Sequence, residues 1–161
     1  MPPPMYMPPP MAPMMPPPPK KMTSGGIIAV VGGILGLIGV FLPWYNITYG
    51  AGSITLPLSF SGLSFGIFGI LALVFAVLIL VGGAVKRPLM AGIFGLLGFI
   101  MVLLPYIIVQ SILGPLAAAA QVTCAAAGAT CNIGWSFGWF ISVIGMLIGM
   151  IGGFVGWRQM K

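Results

Sequence analysis

The chain has no aspartate, no glutamate and no histidine. Acid–base catalysis near neutral pH leans on His or a tuned carboxylate, and hydrolytic metal sites need His, Asp, Glu or several Cys. Proton-coupled carriers likewise use carboxylates or His within their spans. With all of these missing, the expectation is a protein that is not an enzyme, holds no metal and needs no cofactor. No nucleic-acid partner is expected either.

Charge of either sign is scarce. Of 161 residues only 4% are charged and 60% are hydrophobic, where a soluble domain carries roughly 25% charge. So few charges cannot coat a soluble surface, and lipid is expected to cover most of the exterior. Four apolar runs stand out, over 22–42, 64–85, 89–109 and 134–155. Each is long enough to cross a hydrocarbon core of about 30 Å as a helix. Helix is the form that lipid imposes on a backbone it cannot hydrogen-bond. The fold expected is therefore an all-α four-helix transmembrane bundle over 22–157, with a tail before it (1–21) and a short terminus after it (158–161). Pro43 and Pro105 fall near run ends, where proline disturbs least.

The six cations are Lys20, Lys21, Lys86, Arg87, Arg158 and Lys161. They precede the first run, separate the second from the third, and follow the fourth. Four crossings put all three groups on one face, which the positive-inside rule makes cytoplasmic. The expected localisation is the cell membrane, multi-pass, with both termini cytoplasmic and anionic headgroups as a partner at that face. A cleaved signal peptide is the alternative for the first run, but a proline tail precedes it and no small-x-small site follows closely. Trp44, Tyr45, Tyr106, Trp135 and Trp139 collect at the opposite edge, as in an aromatic belt.

The two halves resemble each other. The second run opens Gly62-Leu-Ser-Phe-Gly-Ile-Phe68 and the fourth Gly134-Trp-Ser-Phe-Gly-Trp-Phe140. They close on Val81-Gly-Gly-Ala-Val85 and Ile151-Gly-Gly-Phe-Val155. Two parallel-repeat helical hairpins are expected, related by an axis along the membrane normal. Small residues also recur at helical spacing: Ala29, Gly32, Gly36 and Gly39; Gly62, Gly66, Gly69 and Ala76; Ala91, Gly95 and Gly98; Gly138, Ser142, Gly145, Gly149 and Gly152. Each set falls on one face, where backbones can approach closely within a bundle or between copies in a homo-oligomer. The fourth run carries the longest set and is the expected central packing helix.

In the first outer loop Ile54, Leu56, Leu58 and Phe60 alternate with polar residues and Pro57, the period of an edge strand. Tyr45–Tyr49 supplies its partner and Gly50-Ala-Gly-Ser53 the turn, so a small β-hairpin is expected. The second outer loop holds Cys124 and Cys131, both of the chain's cysteines. On an oxidising face they are expected to form a disulfide contributing about 2–3 kcal/mol. The alanine-rich 116–121 is expected as a short interfacial helix. Asn46-Ile-Thr48 matches a glycosylation acceptor, but so close to the bilayer it is expected to stay unmodified.

Residues 1–19 hold eleven prolines and six methionines, with Tyr6 and Ala12 besides. Such a segment builds no core and favours polyproline II. Pro3, Pro4 and Tyr6 fit a WW-ligand pattern, and Pro16, Pro19 and Lys20 an SH3-ligand pattern, so a polyproline-binding partner is one reading. A methionine site for Cu(I) is another, and an unstructured spacer is the plainest.

A Pro-rich tail, a glycine-rich helix ending Phe41-Leu-Pro-Trp44 and a loop with Ser61-Gly-Leu63 leading to the next helix resemble a loose group of small bacterial and archaeal four-helix membrane proteins. The plan is also distantly claudin-like, although claudins carry their cysteine pair and Trp motif in the first loop. These resemblances imply four spans and cytoplasmic termini, and no active-site residues. The function expected is a non-enzymatic tetraspan with a structural, assembly or partner-binding role. The alternatives are a pore or carrier for neutral solutes or lipids, and a viral or vesicle envelope protein.

Overall fold

The computed structural model describes residues 23–160. Pro3, Pro4, Tyr6, Pro16, Pro19 and Lys20, the tail residues singled out for recognition, lie outside them. Along the chain the elements are α1 (Ser24–Phe41), β1 (Pro43–Ala51), β2 (Ile54–Ser61), a 3-10 turn (Gly62–Phe65), α2 (Ile67–Ala84), α3 (Pro88–Ile112), α4 (Gly114–Ala126), β3 (Thr130–Trp135) and α5 (Phe137–Arg158). Four of the helices, α1, α2, α3 and α5, are long and apolar enough to cross a membrane. This is the architecture of a multi-pass membrane protein.

Local chemistry sets the helix ends. Thr23 caps α1 by accepting the Gly26 N–H at 3.2 Å, and Pro43 stops it. Both α2 and α4 finish in the same turn. After α4 the N–H of Ala129 donates to Cys124 O at 2.8 Å and that of Gly128 to Ala125 O at 3.1 Å. Gly128 takes φ +68° there, the left-handed position that glycine fills without cost. After α2 the bonds run from Arg87 N–H to Gly82 O and from Lys86 N–H to Gly83 O. Here Lys86 occupies the left-handed position, at φ 60°, which costs a side-chain-bearing residue about 1–2 kcal/mol.

The four long helices form a ring in which α1 lies between α2 and α5, and α3 between α2 and α5. Every neighbouring pair is antiparallel. The closest pair is α1 with α5, and glycine makes it so. A Cβ at Gly25 would strike the backbone of Gly156, at Gly32 that of Gly149 and at Gly145 that of Gly36; at Gly39 it would strike Ser142, and at Gly152 Ala29 N at 2.5 Å. In each pair the two residue numbers add to one constant value, so a single antiparallel register holds from end to end. With lipid on the outside, such association rests on van der Waals packing, which close backbones maximise. Gly92, Gly95 and Gly98 do the same for α3, against Phe154, Met150 and Met146 of α5. The expected stripes are thus spent inside the bundle. Gly138 packs against Leu42 and Pro43 O, closing the α1–α5 seam at its top.

Two of the expected packing glycines have other roles. Gly66 has open space where a Cβ would stand and takes φ +62°; it breaks the chain between the 3-10 turn and α2. Gly69 packs against the carbonyl of Gly62 and Leu63 in that same turn, not against another helix. Nor is any helix central in a ring of four: α5 touches α1 and α3 along its length and α2 only slightly.

Some boundaries move. The second run starts as a 3-10 turn, so α2 begins at Ile67. Pro105 does not end α3, which continues through it to Ile112. The fourth helix begins at Phe137 because Gly134 and Trp135 belong to β3. The hairpin is present but longer than 45–60, with Gly52 at φ +60° in its turn, and it is part of a three-stranded antiparallel sheet ordered β2-β1-β3.

Candidate functional site: the sheet and the aromatic plug beneath it

Register gives the sheet two unlike faces, because directly opposed residues point the same way. Phe60, Tyr45 and Trp135 align across the three strands, as do Leu58, Ile47 and Ile133, and Leu56, Tyr49 and Cys131; Ile54 pairs with Ala51. The opposite face carries Ser59, Asn46 and Gly134, then Pro57, Thr48 and Asn132, then Thr55, Gly50 and Thr130. One side is apolar and aromatic, the other polar and without charge.

Beneath the end of the apolar face nearest the helices, aromatic rings pack on one another. An irregularity in the β1–β2 ladder between Pro43 and Tyr45 sends Trp44 down into the bundle while Tyr45 stays with the sheet. Trp44 is fully buried and meets Phe65 at a tilt, with ring centroids 5.7 Å apart. Phe65 meets Trp135 at 5.9 Å, and Trp135 meets Trp139 and Tyr106 at 5.3 Å each. Tyr106 and Trp139 lie 4.9 Å apart. These separations suit aromatic pairs, each worth about 0.5–1.5 kcal/mol beyond its burial. Of the residues expected in the aromatic belt, Trp44 and Trp139 are buried, Tyr106 and Trp135 are half-buried against them, and Tyr45 stays on the sheet.

Two indoles also donate to helix carbonyls close to a proline. Pro43 has no N–H to offer Gly39 O, one helical turn back; Trp44 Nε1–H donates to that carbonyl at 2.9 Å. In α3 the Trp139 Nε1–H donates to Val102 O at 3.1 Å, next to Met101 O, the carbonyl that Pro105 leaves without a helical donor. Among the described residues, Trp135 Nε1 and Ser142 Oγ are buried without a partner. Asn46 Nδ2 donates to Ser136 Oγ at 3.0 Å, and Ser136 N–H to Trp44 O at 2.8 Å, which stitch β1 to the start of α5. The amide that a glycan would occupy is thereby engaged.

Away from the bundle α4 covers part of the apolar face, tied to β3 by the Cys124–Cys131 disulfide. The rest is open. Ile54, Leu56 and Leu58 are 65%, 58% and 58% exposed. Between this open part and the end of α3 lies a groove of about 250 Å³ lined by Tyr45, Ile47, Phe60, Phe65, Val109 and Leu113. Burial raises the pKa of the Tyr45 hydroxyl above its ordinary value.

Sequence reasoning found the hairpin, its edge strand and the cysteine pair, and missed β3. The signal was present: Cys131, Ile133 and Trp135 alternate with Thr130, Asn132 and Gly134. No family model matches the chain, and neither a curated protein nor a solved structure matches it.

Proposed function

We propose that the chain is a non-enzymatic tetraspan whose work is to hold the sheet rigidly outside the membrane and present it to another membrane protein, in the first place a second copy of itself. The basic ends of the helices face the cytoplasm in this reading, and the sheet faces outward. The observation that carries it is the open row Ile54, Leu56, Leu58 and Phe60 on a strand braced from below by stacked rings and at the far edge by a disulfide. Exposed apolar rows on rigid supports mark association surfaces. Pro57 on this edge discourages a further strand, so contact is made through side chains of the face. The glycine stripes being used within the chain, lateral assembly in this reading runs through the row on the sheet.

Native gels after mild extraction test this, comparing the protein with the double variant Leu56→Ser, Leu58→Ser. Both side chains are exposed, so the fold should persist while the assembly falls to monomer. An unchanged assembly would sink the proposal.

A carrier of lipids or neutral solutes is the second reading, favoured by the apolar groove at Phe60 and Leu113. Trp44 and Trp139, buried across the ring, argue against a pore along its axis. Swelling of liposomes in uncharged solutes at the rate of empty vesicles would remove the pore form.

A further inference from the structure

At the other end of the ring the α2–α3 turn shapes a second kind of surface. A groove of about 170 Å³ runs between the two helices, walled by Leu78, Val81, Val85, Met90 and Phe94, and it ends on Arg87. Val81, Val85 and Met90 are exposed, so the groove opens sideways, toward the hydrocarbon. The chain has no carboxylate side chain, so Arg87 has no internal side-chain counter-ion. An arginine fork matches a phosphate better than a point charge does. The turn also places Lys86 where Gly128 stands in the matching turn after α4. A glycine would relieve the backbone there, whereas this chain carries a cation. A second groove of about 320 Å³ lies along α5 alone, where Met150, Ile151, Phe154 and Val155 lead to Arg158.

We propose that each groove holds one anionic phospholipid of the adjoining leaflet, an acyl chain along the apolar walls and the phosphate on Arg87 or Arg158. Lys86 adds charge at the first site. With two such grooves the stoichiometry is two lipids per chain. This rests on the four helices crossing a bilayer and is independent of what the sheet binds.

Native mass spectrometry of the full chain released from phosphatidylglycerol or phosphatidylcholine vesicles with identical acyl chains is the test, with melting temperature in each lipid as a second readout. The protein should retain two phosphatidylglycerols and be stabilised by them more than by phosphatidylcholine. Arg87→Gln and Arg158→Gln should each lower retention at one site about fivefold, the factor that about 1 kcal/mol per cation represents. Lys86→Gly should raise the melting temperature in neutral detergent while weakening the response to phosphatidylglycerol, a pairing that a merely structural lysine would not produce. Met90→Trp, which fills the first groove without altering charge, should remove one lipid. Soluble glycerol phosphate should not compete, since the apolar walls contribute. Equal retention of both lipids, full competition by glycerol phosphate, or wild-type retention in Arg87→Gln and Met90→Trp would overturn the proposal. Co-release of a protein chain in place of lipid would do the same.

Discussion

Gly32 and Gly36 lie one helical turn apart on the same face of α1 and make opposite demands. A Cβ on Gly32 would meet the backbone of Gly149, whereas one on Gly36 would stand 3.4 Å from the flexible end of Met146. Backbone cannot yield cheaply, and a thioether can. Gly32→Ala is therefore expected to cost about 2 kcal/mol or more through overpacking. Gly36→Ala should be neutral or gain up to about 1 kcal/mol, since alanine is the better helix residue. Reversible unfolding in mixed micelles measures both, and equal effects would refute the contrast. The sequence placed these glycines on one face; it could not rank them, because the rank depends on what the facing helix offers at each level. For the same reason Gly66 looked like a member of a stripe when it is a break: spacing records the face, and φ is invisible in it.

At the scale of elements, the disulfide joins the end of α4 to β3 and so fastens a helix over the sheet's apolar side. The double variant Cys124→Ser, Cys131→Ser should lose about 2–3 kcal/mol of local stability. Amide exchange should quicken across α4 and β3 while α1 and α5 keep their protection; uniform loss throughout the bundle would show that the sheet and bundle unfold together. The strands were the least legible elements. Residues 54–60 alternate cleanly, but β3 is six residues long and runs directly into an apolar helix, so its own period was absorbed into the run that follows. Two of the five aromatics expected in a belt were hard to place for a related reason. Trp44 and Trp139 are buried and donate to helix carbonyls, contacts that residue type and position along the chain do not record.

For the molecule as a whole, the helix count and the basic grouping of the turns were legible because length and hydropathy alone decide them. The same composition governs its response to pH. With no Asp, Glu or His, and both thiols in a disulfide, the chain lacks the side-chain types that titrate between about pH 4 and 9. Its melting temperature in neutral detergent should be level across that range. Above it Tyr45 enters: burial raises its folded pKa, so the stability it contributes is full below its ordinary value near 10 and is lost as pH climbs beyond it. A scan from pH 5 to 11, with Tyr45→Phe as the comparison, checks the sign; the variant should decline less at the alkaline end.

The seam between α1 and α5 has a further consequence, for biogenesis. It is the closest helix pair in the ring, and it joins the first spanning helix to the last. During synthesis α1 enters the bilayer with its glycine side bare and must wait there until about a hundred further residues have left the ribosome. Throughout that interval its backbone is open to any other small-faced helix in the membrane. Arrival of α5, more than insertion of any earlier helix, is the event that closes the ring.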